Sequence, residues 1–317
     1  MKRSGMVVGF LAFQNPGKHM KSIIIATALA ALSGTAQAAP RDDATAVANQ
    51  VAQTERDFDA YTHVHGYAKG FYQYSAPDAV TFEPDVTYIH DELAKALAAD
   101  NADKPSTLRW GPHYIGLSQS QDMAWDLGPW TVEGTDKAGW FLTMWQRQPD
   151  GSWLWTLDGG AGPDTATNLP ARDTLVYSLP PHKKGAEIPG TADQVAGMDS
   201  IMNIMVSPAN AYTDYNKPDW GETKLIVGDT APPAFARADD GKPSANLEAL
   251  WAARPKGLTW TRDGIRVDQA GDMAYTYGHA SSPDGTYQGH YVRVWRHTAD
   301  TSPRWTIEVD LYQSAKK

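Results

Sequence analysis

The sequence predicts an α+β protein in which one fold is built twice. Ten residues recur along the chain at a constant offset of 150, and two more recur at an offset of 152. The segment Asp122-Met123-Ala124-Trp125, for example, corresponds to Asp272-Met273-Ala274-Tyr275. Self-similarity at a fixed, domain-sized period indicates a duplicated domain, and 317 residues are enough for two domains.

In each copy, a segment with helical spacing precedes segments with strand spacing. Residues 54–74 have apolar and aromatic side chains on two sides of a helix, so this helix is expected to be buried, and residues 90–99 predict a second, shorter helix. In the second copy, one side of a predicted helix carries Val195, Met198, Met202 and Met205. These side chains are most simply part of the hydrophobic core. The predicted strands cover residues 108–118, 123–132, 139–148 and 153–157, and then 258–267, 273–280, 289–296 and 304–311. Their short connections favour an antiparallel meander.

The N-terminus predicts export. Met20-Lys21 gives a basic start, residues 23–32 give an apolar run, and Ala36-Gln37-Ala38 gives a small-residue cleavage site. We therefore expect residues 1–38 to be a signal peptide, with translation starting at Met1 or at Met20, and a mature protein in the periplasm or outside the cell. The apolar run is only about half the length of a membrane span, so no membrane insertion is expected after processing.

Charge and cysteine content exclude several classes of protein. Removal of residues 1–38 leaves 24 basic and 37 acidic residues, a net charge of −13. Such a surface repels phosphate backbones, so nucleic acid is not an expected partner. The chain has no Cys, which excludes disulfides, thiolate metal sites and cysteine nucleophiles.

The domain boundary is predicted in a proline-rich segment between the copies. Residues 168–190 contain four prolines together with Lys183-Lys184, a composition typical of an exposed linker. The predicted domains are therefore residues 41–167 and residues 191–317. Because the strands are apolar on both faces, we expect the two domains to pack together as an internal pseudo-dimer.

Several motifs carry a resemblance to a known superfamily. They are the segment 271–278 (Gly-Asp-Met-Ala-Tyr-Thr-Tyr-Gly), the strand 291–296, a closing Trp-x4-Asp, and Pro149-Asp150-Gly151-Ser152-Trp153 in the first copy. With helices first and an antiparallel sheet after them, the chain resembles the nuclear transport factor 2-like (NTF2-like) superfamily. It is most similar to the SnoaL-like and ketosteroid-isomerase-like domains of unknown function. The resemblance covers nearly all of residues 54–158 and 191–311.

The resemblance implies two tandem cone-shaped domains, each a curved antiparallel sheet wrapped around a long N-terminal helix, with ligands entering the open end of the cone. Seven of the twelve Trp residues lie between Trp110 and Trp155, and a cone lined by Trp and Tyr suits a small apolar or aromatic molecule. The leading hypothesis is therefore an exported small-molecule-binding protein. The alternatives are an isomerase or cyclase-type enzyme of the ketosteroid-isomerase-like kind, and an interaction module that uses the sheet surface.

Asp126 is the most informative candidate for chemistry. It lies within a predicted strand between Trp125 and Leu127, and Asp is disfavoured there unless something specific holds it. Burial beside Trp rings would raise its pKa and suit it to act as an acid or base near neutral pH. The simpler alternative is an exposed Asp on the sheet face. Its counterpart in the second copy is Thr276.

Other candidates come from both copies. Tyr61 and His65, one helical turn apart, are candidate catalytic partners of Asp126, against the simpler alternative of a core Tyr and a His bonded to backbone. The aromatic candidates for ligand binding are Trp125, Trp130, Tyr72, Tyr275 and Tyr277. Arg293 has two possible roles: it forms a surface ion pair with Glu308, or it lies at the polar entrance of a ligand pocket.

Further sequence features point away from other chemistry. Asp122 and Asp272 are expected to bond their own turns, and Asp158 and Asp310 to mark strand ends. His63, His65 and the His90-Asp91-Glu92 segment lack the spacing of a metal site, and no nucleotide or nucleophile motif is present. No metal and no cofactor are therefore expected.

Overall fold

The strands of the two copies form two separate sheets in a computed structural model of the protein. The structure describes residues 43–82, 85–98, 104–162, 169–170, 174–180, 190–206, 225–235, 244–297 and 305–315. The predicted signal peptide and its cleavage site lie outside these residues. We call residues 43–180 the first half and residues 190–315 the second half, and the fold is α+β in both.

The first half opens with two helices rather than one. Helix α1 (Ala44–His65) begins ten residues earlier than the pattern predicts, because the side chain of Asp43 caps it by accepting a 2.9 Å hydrogen bond from the Thr45 amide. Helix α2 (Tyr67–Tyr74) follows. The two are separated by Gly66, whose φ of 92° is accessible to glycine at little cost. The prediction of one continuous helix over residues 54–74 was therefore wrong.

The first sheet has eight strands, with one further helix, α3 (Ile89–Leu97), beside it. The strands are β1 (Ser75–Phe82), β2 (Val86–Tyr88), β3 (Leu108–Trp110), β4 (Tyr114–Leu117), β5 (Met123–Val132), β6 (Ala138–Arg147), β7 (Trp153–Ala161) and β8 (Val176–Ser178). Their order is β2-β1-β7-β6-β5-β4-β8, and β3 also pairs with β5. Pairing is antiparallel except for the parallel pairs β1–β7 and β4–β8. Three residues of the expected linker thus form a strand of this sheet.

The second half repeats the arrangement with a smaller sheet. Its helices are α4 (Thr191–Val206) and α5 (Leu247–Ala253). Its strands are β9 (Leu225–Gly228), β10 (Ala231–Ala234), β11 (Thr259–Val267), β12 (Met273–Ser281), β13 (Tyr287–His297) and β14 (Trp305–Ser314), in the order β10-β9-β14-β13-β12-β11. Among the helices that the structure describes, none has the length and apolar character needed to cross a membrane.

Each sheet has one face on its own helices and one face on the other half. On β5, Ala124 packs in the core beneath α1, whereas Trp125 and Leu127 point to the opposite face. That opposite face shares a core cluster with second-half residues such as Tyr275 and Val294. Both faces of each sheet are therefore covered, in agreement with the apolar character of the strands.

Equivalent residues of the two halves make reciprocal contacts. Asp272 accepts a 2.8 Å hydrogen bond from the Gln119 amide, and Asp122 accepts a 3.2 Å hydrogen bond from the Gln269 amide. These residues correspond at the 150 offset, so each contact is the counterpart of the other, as in a two-fold interface. Asp122 also accepts a 3.3 Å hydrogen bond from the Ser118 hydroxyl of its own turn, so its expected structural role in the turn extends to the contact between the halves.

Candidate functional site

Two acids and a threonine form a row across the first sheet. Asp126 on β5 pairs directly with Thr143 on β6, which pairs directly with Asp158 on β7. Direct partners on neighbouring strands point to the same face of a sheet. Ala124, two residues before Asp126, packs beneath α1, so the row lies on the helix-facing side.

Helix α1 places a third acid against this row. Glu55 is fully buried and its carboxyl group lies close enough to that of Asp126 for each to shift the pKa of the other. The indole nitrogen of Trp110 donates to Oε1 of Glu55, and that of Trp145 donates to Oδ1 of Asp126 over 3.1 Å. Asp126 is itself completely buried. The expectation of a buried carboxyl group beside Trp rings is therefore confirmed, and the exposed alternative was wrong.

The Glu55–Asp126 pair retains protons near neutral pH. Burial, followed by the charge of Asp126, raises the pKa of Glu55 well above its ordinary value. Burial raises the pKa of Asp126 to about 8, although the hydrogen bond from Trp145 favours its ionised form. Two carboxyl groups buried this close repel each other when both are ionised. The pair therefore carries at most one negative charge around neutrality.

A cavity of about 300 Å³ lies beside the row, at the lower end of the range for ligand pockets. Its lining is largely aromatic, and two of its polar side chains come from the second half. The lining residues are Tyr67, Phe71, Thr81, Phe82, Leu108, Trp110, Trp130, Phe141, Asp158, Gly159, Gly160, Ala161, Gly162, His290 and Gln313.

Asp158 is the acid that meets this cavity. It keeps some exposed surface, unlike Asp126, and its Oδ2 accepts a 2.9 Å hydrogen bond from the Thr143 hydroxyl. Burial of its carboxyl group raises its pKa to about 7. Asp158 can therefore hold or release a proton near neutral pH at the wall of the cavity. The expectation that it merely marks a strand end was wrong, because β7 continues to Ala161.

The other first-half candidates lie at different distances from the cavity. Trp130 lines it. Trp125 lies on the opposite face, where its indole nitrogen donates a 2.9 Å hydrogen bond to Glu308. The rings of Tyr61 and His65 pack on each other with centroids 4.2 Å apart, and Tyr72 stacks on His90 at 4.3 Å. Tyr61, His65, Tyr72 and Asp126 are not among the residues that line the cavity.

The candidate residues of the second half, Tyr275, Tyr277 and Arg293, lie in different surroundings. Tyr275 is buried between the halves, where its hydroxyl lies 2.9 Å from that of Thr156. Tyr277 belongs to the same inter-sheet cluster and lies near Phe82. Arg293 is completely buried. It donates to Asp199 and to Asn203 over 2.7 Å each.

Arg293 does not pair with Glu308 at the surface. Its other acidic neighbour is Asp310, 3.6 Å away, whereas Glu308 pairs with Arg296 at 3.1 Å. All four of these side chains are buried. The surface-pair expectation was therefore wrong, because β13 and β14 are covered on both faces.

The second half contains a row at the equivalent positions of its sheet, with different side chains. Thr276, Arg293 and Asp310 are aligned across β12, β13 and β14. The Trp295 indole donates to Thr276 over 2.9 Å, as Trp145 does to Asp126. Here a guanidinium group neutralises the acids, whereas the first-half row has Thr143 at that position. Proton chemistry near neutral pH is therefore favoured in the first half.

Glu55 and His290 were not predicted from the sequence as site residues. Glu55 shares the buried side of α1 with Val51 and Phe58, four residues before and three after it, and an acid on such a stripe is a signal that sequence reasoning can use. His290 gave no signal in the sequence. Within the residues that the structure describes, no group of three or more His, Asp or Glu side chains is arranged to hold a metal ion.

Comparison with known proteins finds similarities among solved structures. No family model and no curated protein matches the chain. It is similar to the solved structure of an NTF2-like protein of unknown function from Shewanella oneidensis MR-1, with 16% identity and a TM-score of 0.29, over 35% of this chain and 96% of that one. It is also similar to a putative ketosteroid isomerase from Shewanella frigidimarina NCIMB 400, with 19% identity and a TM-score of 0.25, over 37% and 94% of the two chains.

A longer match extends over both halves. An NTF2-like protein involved in plasmid conjugation is 9% identical, with a TM-score of 0.21, over 86% of this chain and 99% of that one. The resemblance to the NTF2-like superfamily that the sequence motifs indicate is thus also found among solved structures, chiefly over about 35–40% of the chain. At these identities the similarity concerns the fold alone.

Proposed function

We propose that this protein binds a small, largely apolar molecule in the first-half cavity, with protonated Asp158 donating a hydrogen bond to a ligand oxygen. The observation that carries the proposal is an acid with a pKa of about 7 in a cavity that is otherwise lined mainly by aromatic rings. An apolar cavity with a few convergent polar groups is the usual form of a small-molecule site. Desolvation strengthens a hydrogen bond made there.

The proposal includes two tandem cones, each a sheet curled around its long helix, joined as an internal pseudo-dimer. The helix-facing cores and the reciprocal Asp122 and Asp272 contacts support this arrangement. Export to the periplasm or beyond rests on the N-terminal sequence. A first residue of Ala39 or Pro40 in protein recovered outside the cytoplasm supports export, and an intact Met1 or Met20 there contradicts it.

The binding proposal predicts a pH-dependent affinity for an apolar ketone. We expect 2-acetylnaphthalene, whose oxygen only accepts hydrogen bonds, to bind about tenfold or more tightly at pH 6 than at pH 8.5. The reason is that Asp158 loses its donor proton as the pH rises through about 7. Asp126, whose pKa burial raises to about 8, adds negative charge behind Asp158 over the same range. Isothermal titration calorimetry at the two pH values measures this dependence. Naphthalene, which has no hydrogen-bond acceptor, is the control ligand.

Two variants separate the role of Asp158 from a general effect of pH. Asp158→Asn keeps a donor at every pH, so the ketone should bind with little pH dependence. Asp158→Leu removes the donor, and the ketone should then bind no better than naphthalene. Asp136→Asn, in the exposed β5–β6 turn, is the matched control and should behave like the wild type. Equal affinities for ketone and naphthalene in the wild type at pH 6 would overturn the proposal.

A second candidate function is proton transfer, as in an isomerase or cyclase. Asp158 would exchange protons with the substrate, and the Asp126–Glu55 pair in the same row supports it, because these acids also titrate above their ordinary range. In D2O, NMR follows exchange of the methyl protons of 2-acetylnaphthalene. Acceleration that Asp158→Asn abolishes supports an enzyme, and exchange at the uncatalysed rate supports binding alone.

A further inference from the structure

A buried histidine of the second half lines the first-half cavity with one ring nitrogen unpaired. The ring of His290 stacks on Phe82 with centroids 3.8 Å apart and planes 6° from parallel. Nδ1 of His290 lies 3.3 Å from the Tyr287 hydroxyl. Nε2 is buried and has no hydrogen-bond partner among the described residues. Gln313, which also lines the cavity, is the cross-strand neighbour of His290.

An unpaired polar atom in this position costs stability unless something else satisfies it. A buried donor or acceptor without a partner destabilises the folded state. Burial lowers the pKa of His290 to about 3, so the imidazole is neutral and Nε2 presents a single donor or a single acceptor. Nε2 is thus suited to a neutral polar atom of a ligand in the cavity that His290 lines.

The backbone next to Asp158 leaves space beside this nitrogen. A Cβ atom on Gly159 would lie 3.2 Å from the Phe82 ring and 3.8 Å from Nε2 of His290. A side chain at position 159 would therefore fill the space between strand β7 and the ring of His290. Glycine keeps this part of the cavity open.

The corresponding place in the other half is apolar. At the repeat offsets, Trp140 corresponds to His290 and Ala161 corresponds to Gln313, and Trp140 and Ala161 are likewise cross-strand partners. Both belong to the inter-sheet apolar cluster. The second half therefore has the polar pair His290 and Gln313 where the first half has the apolar pair Trp140 and Ala161.

We propose that His290 is a ligand-binding and specificity-determining residue of the first-half cavity, and that the ligand is an uncharged, largely aromatic molecule with two polar atoms. One polar atom would bind Asp158, and the other would bind Nε2 of His290. The inference rests on the proposed function. It names an uncharged ligand because none of the residues lining the cavity is Lys or Arg, so an anion would have no partner for its charge.

The test combines two ketones with variants of His290. At about pH 6, where Asp158 holds its proton, the affinity of 2-acetylnaphthalene is compared with that of 6-hydroxy-2-acetylnaphthalene by calorimetry. We expect the hydroxyl group to increase affinity about tenfold in the wild type. His290→Phe, which keeps an aromatic ring on Phe82, should bring the affinity ratio of the two ketones close to one, and His290→Gln should retain part of the increase.

Matched controls exclude a purely structural effect. His113→Phe is the control variant, because His113 is a half-buried first-half histidine outside the cavity lining, with Nδ1 on the Thr174 carbonyl. The increase due to the hydroxyl group should persist in this variant. Thermal unfolding checks that each variant folds, and His290→Phe should lose only the 3.3 Å contact between Nδ1 and the Tyr287 hydroxyl, because Nε2 has no protein partner to lose.

The outcomes separate the two proposals. If neither ketone binds the wild type, the proposed function fails, and this inference fails with it. If both ketones bind with equal affinity, or if His290→Phe keeps the hydroxyl increase, only the role of His290 is overturned. Tighter binding of 2-(aminomethyl)naphthalene, a cation at this pH, than of the hydroxyketone would overturn the assignment of an uncharged ligand.

Discussion

Replacement of Arg293 by Met is expected to destabilise the protein by about 3–5 kcal/mol, the cost of removing one partner from a buried ion pair. Arg293, Asp199 and Asp310 are all completely buried, and Arg293 is the cation that faces both acids. Without it, Asp310 still pairs with Arg254 at 2.9 Å, whereas Asp199 keeps only Arg262 at 3.7 Å and is left buried without a close cation. Urea unfolding at neutral pH measures the loss.

The comparison with other variants shows whether charge burial is the cause. Arg266→Met removes a part-exposed pair with Asp78 and should cost under about 1 kcal/mol. The double variant Arg293→Met with Asp199→Asn should lose less than Arg293→Met alone, because one unpaired charge disappears with its partner. A loss under about 1 kcal/mol for Arg293→Met would show that the second-half row is not held by this cation.

Separation of the two halves is expected to abolish independent folding. A break between residues 180 and 190 leaves β8 with the first half and exposes both inter-sheet faces, including Trp125 and Tyr275. It also removes the hydrogen bonds from Trp125 to Glu308 and between Thr156 and Tyr275. Partners that share a large apolar interface of this kind do not form stable folded subunits when they are separated.

Size-exclusion chromatography with native mass spectrometry tests this expectation. Each half expressed alone should aggregate, and the two expressed together should form a soluble one-to-one complex. The uncut mature chain is the control. Two halves that are each soluble, folded and without affinity for each other would contradict the proposed internal pseudo-dimer.

The duplication made most of the sheet predictable from the sequence. Strand β5 was predicted at its observed bounds, Met123–Val132, and the other long strands within about four residues, because alternation and turn residues are local signals. Asp126 was predicted as a candidate acid, either buried or exposed, for the same reason, since an Asp on an alternating apolar strand is a local anomaly. The break at Gly66 was missed because the apolar pattern continues on both sides of it.

The rest of the site depends on packing between distant segments. Glu55 meets Asp126 across 71 residues of chain, and nothing near either residue specifies the other. His290 reaches the first-half cavity only because the two sheets pack face to face. Arg293 and Glu308 were assigned to each other from strand adjacency alone, whereas burial selects the partners that fully neutralise each charge. Contacts between halves therefore required the three-dimensional structure.

The measurement that tests the account most directly is a titration of the carboxyl group of Asp158. Carbon-13 NMR of the mature protein with labelled aspartate, assigned by comparison with Asp158→Asn, follows this group as the pH changes. We predict a midpoint of about 7, and we predict that bound 2-acetylnaphthalene moves it upward, because the ketone binds the protonated acid. An Asp158 midpoint near the ordinary value of about 4, unchanged by the ketone, would contradict the account.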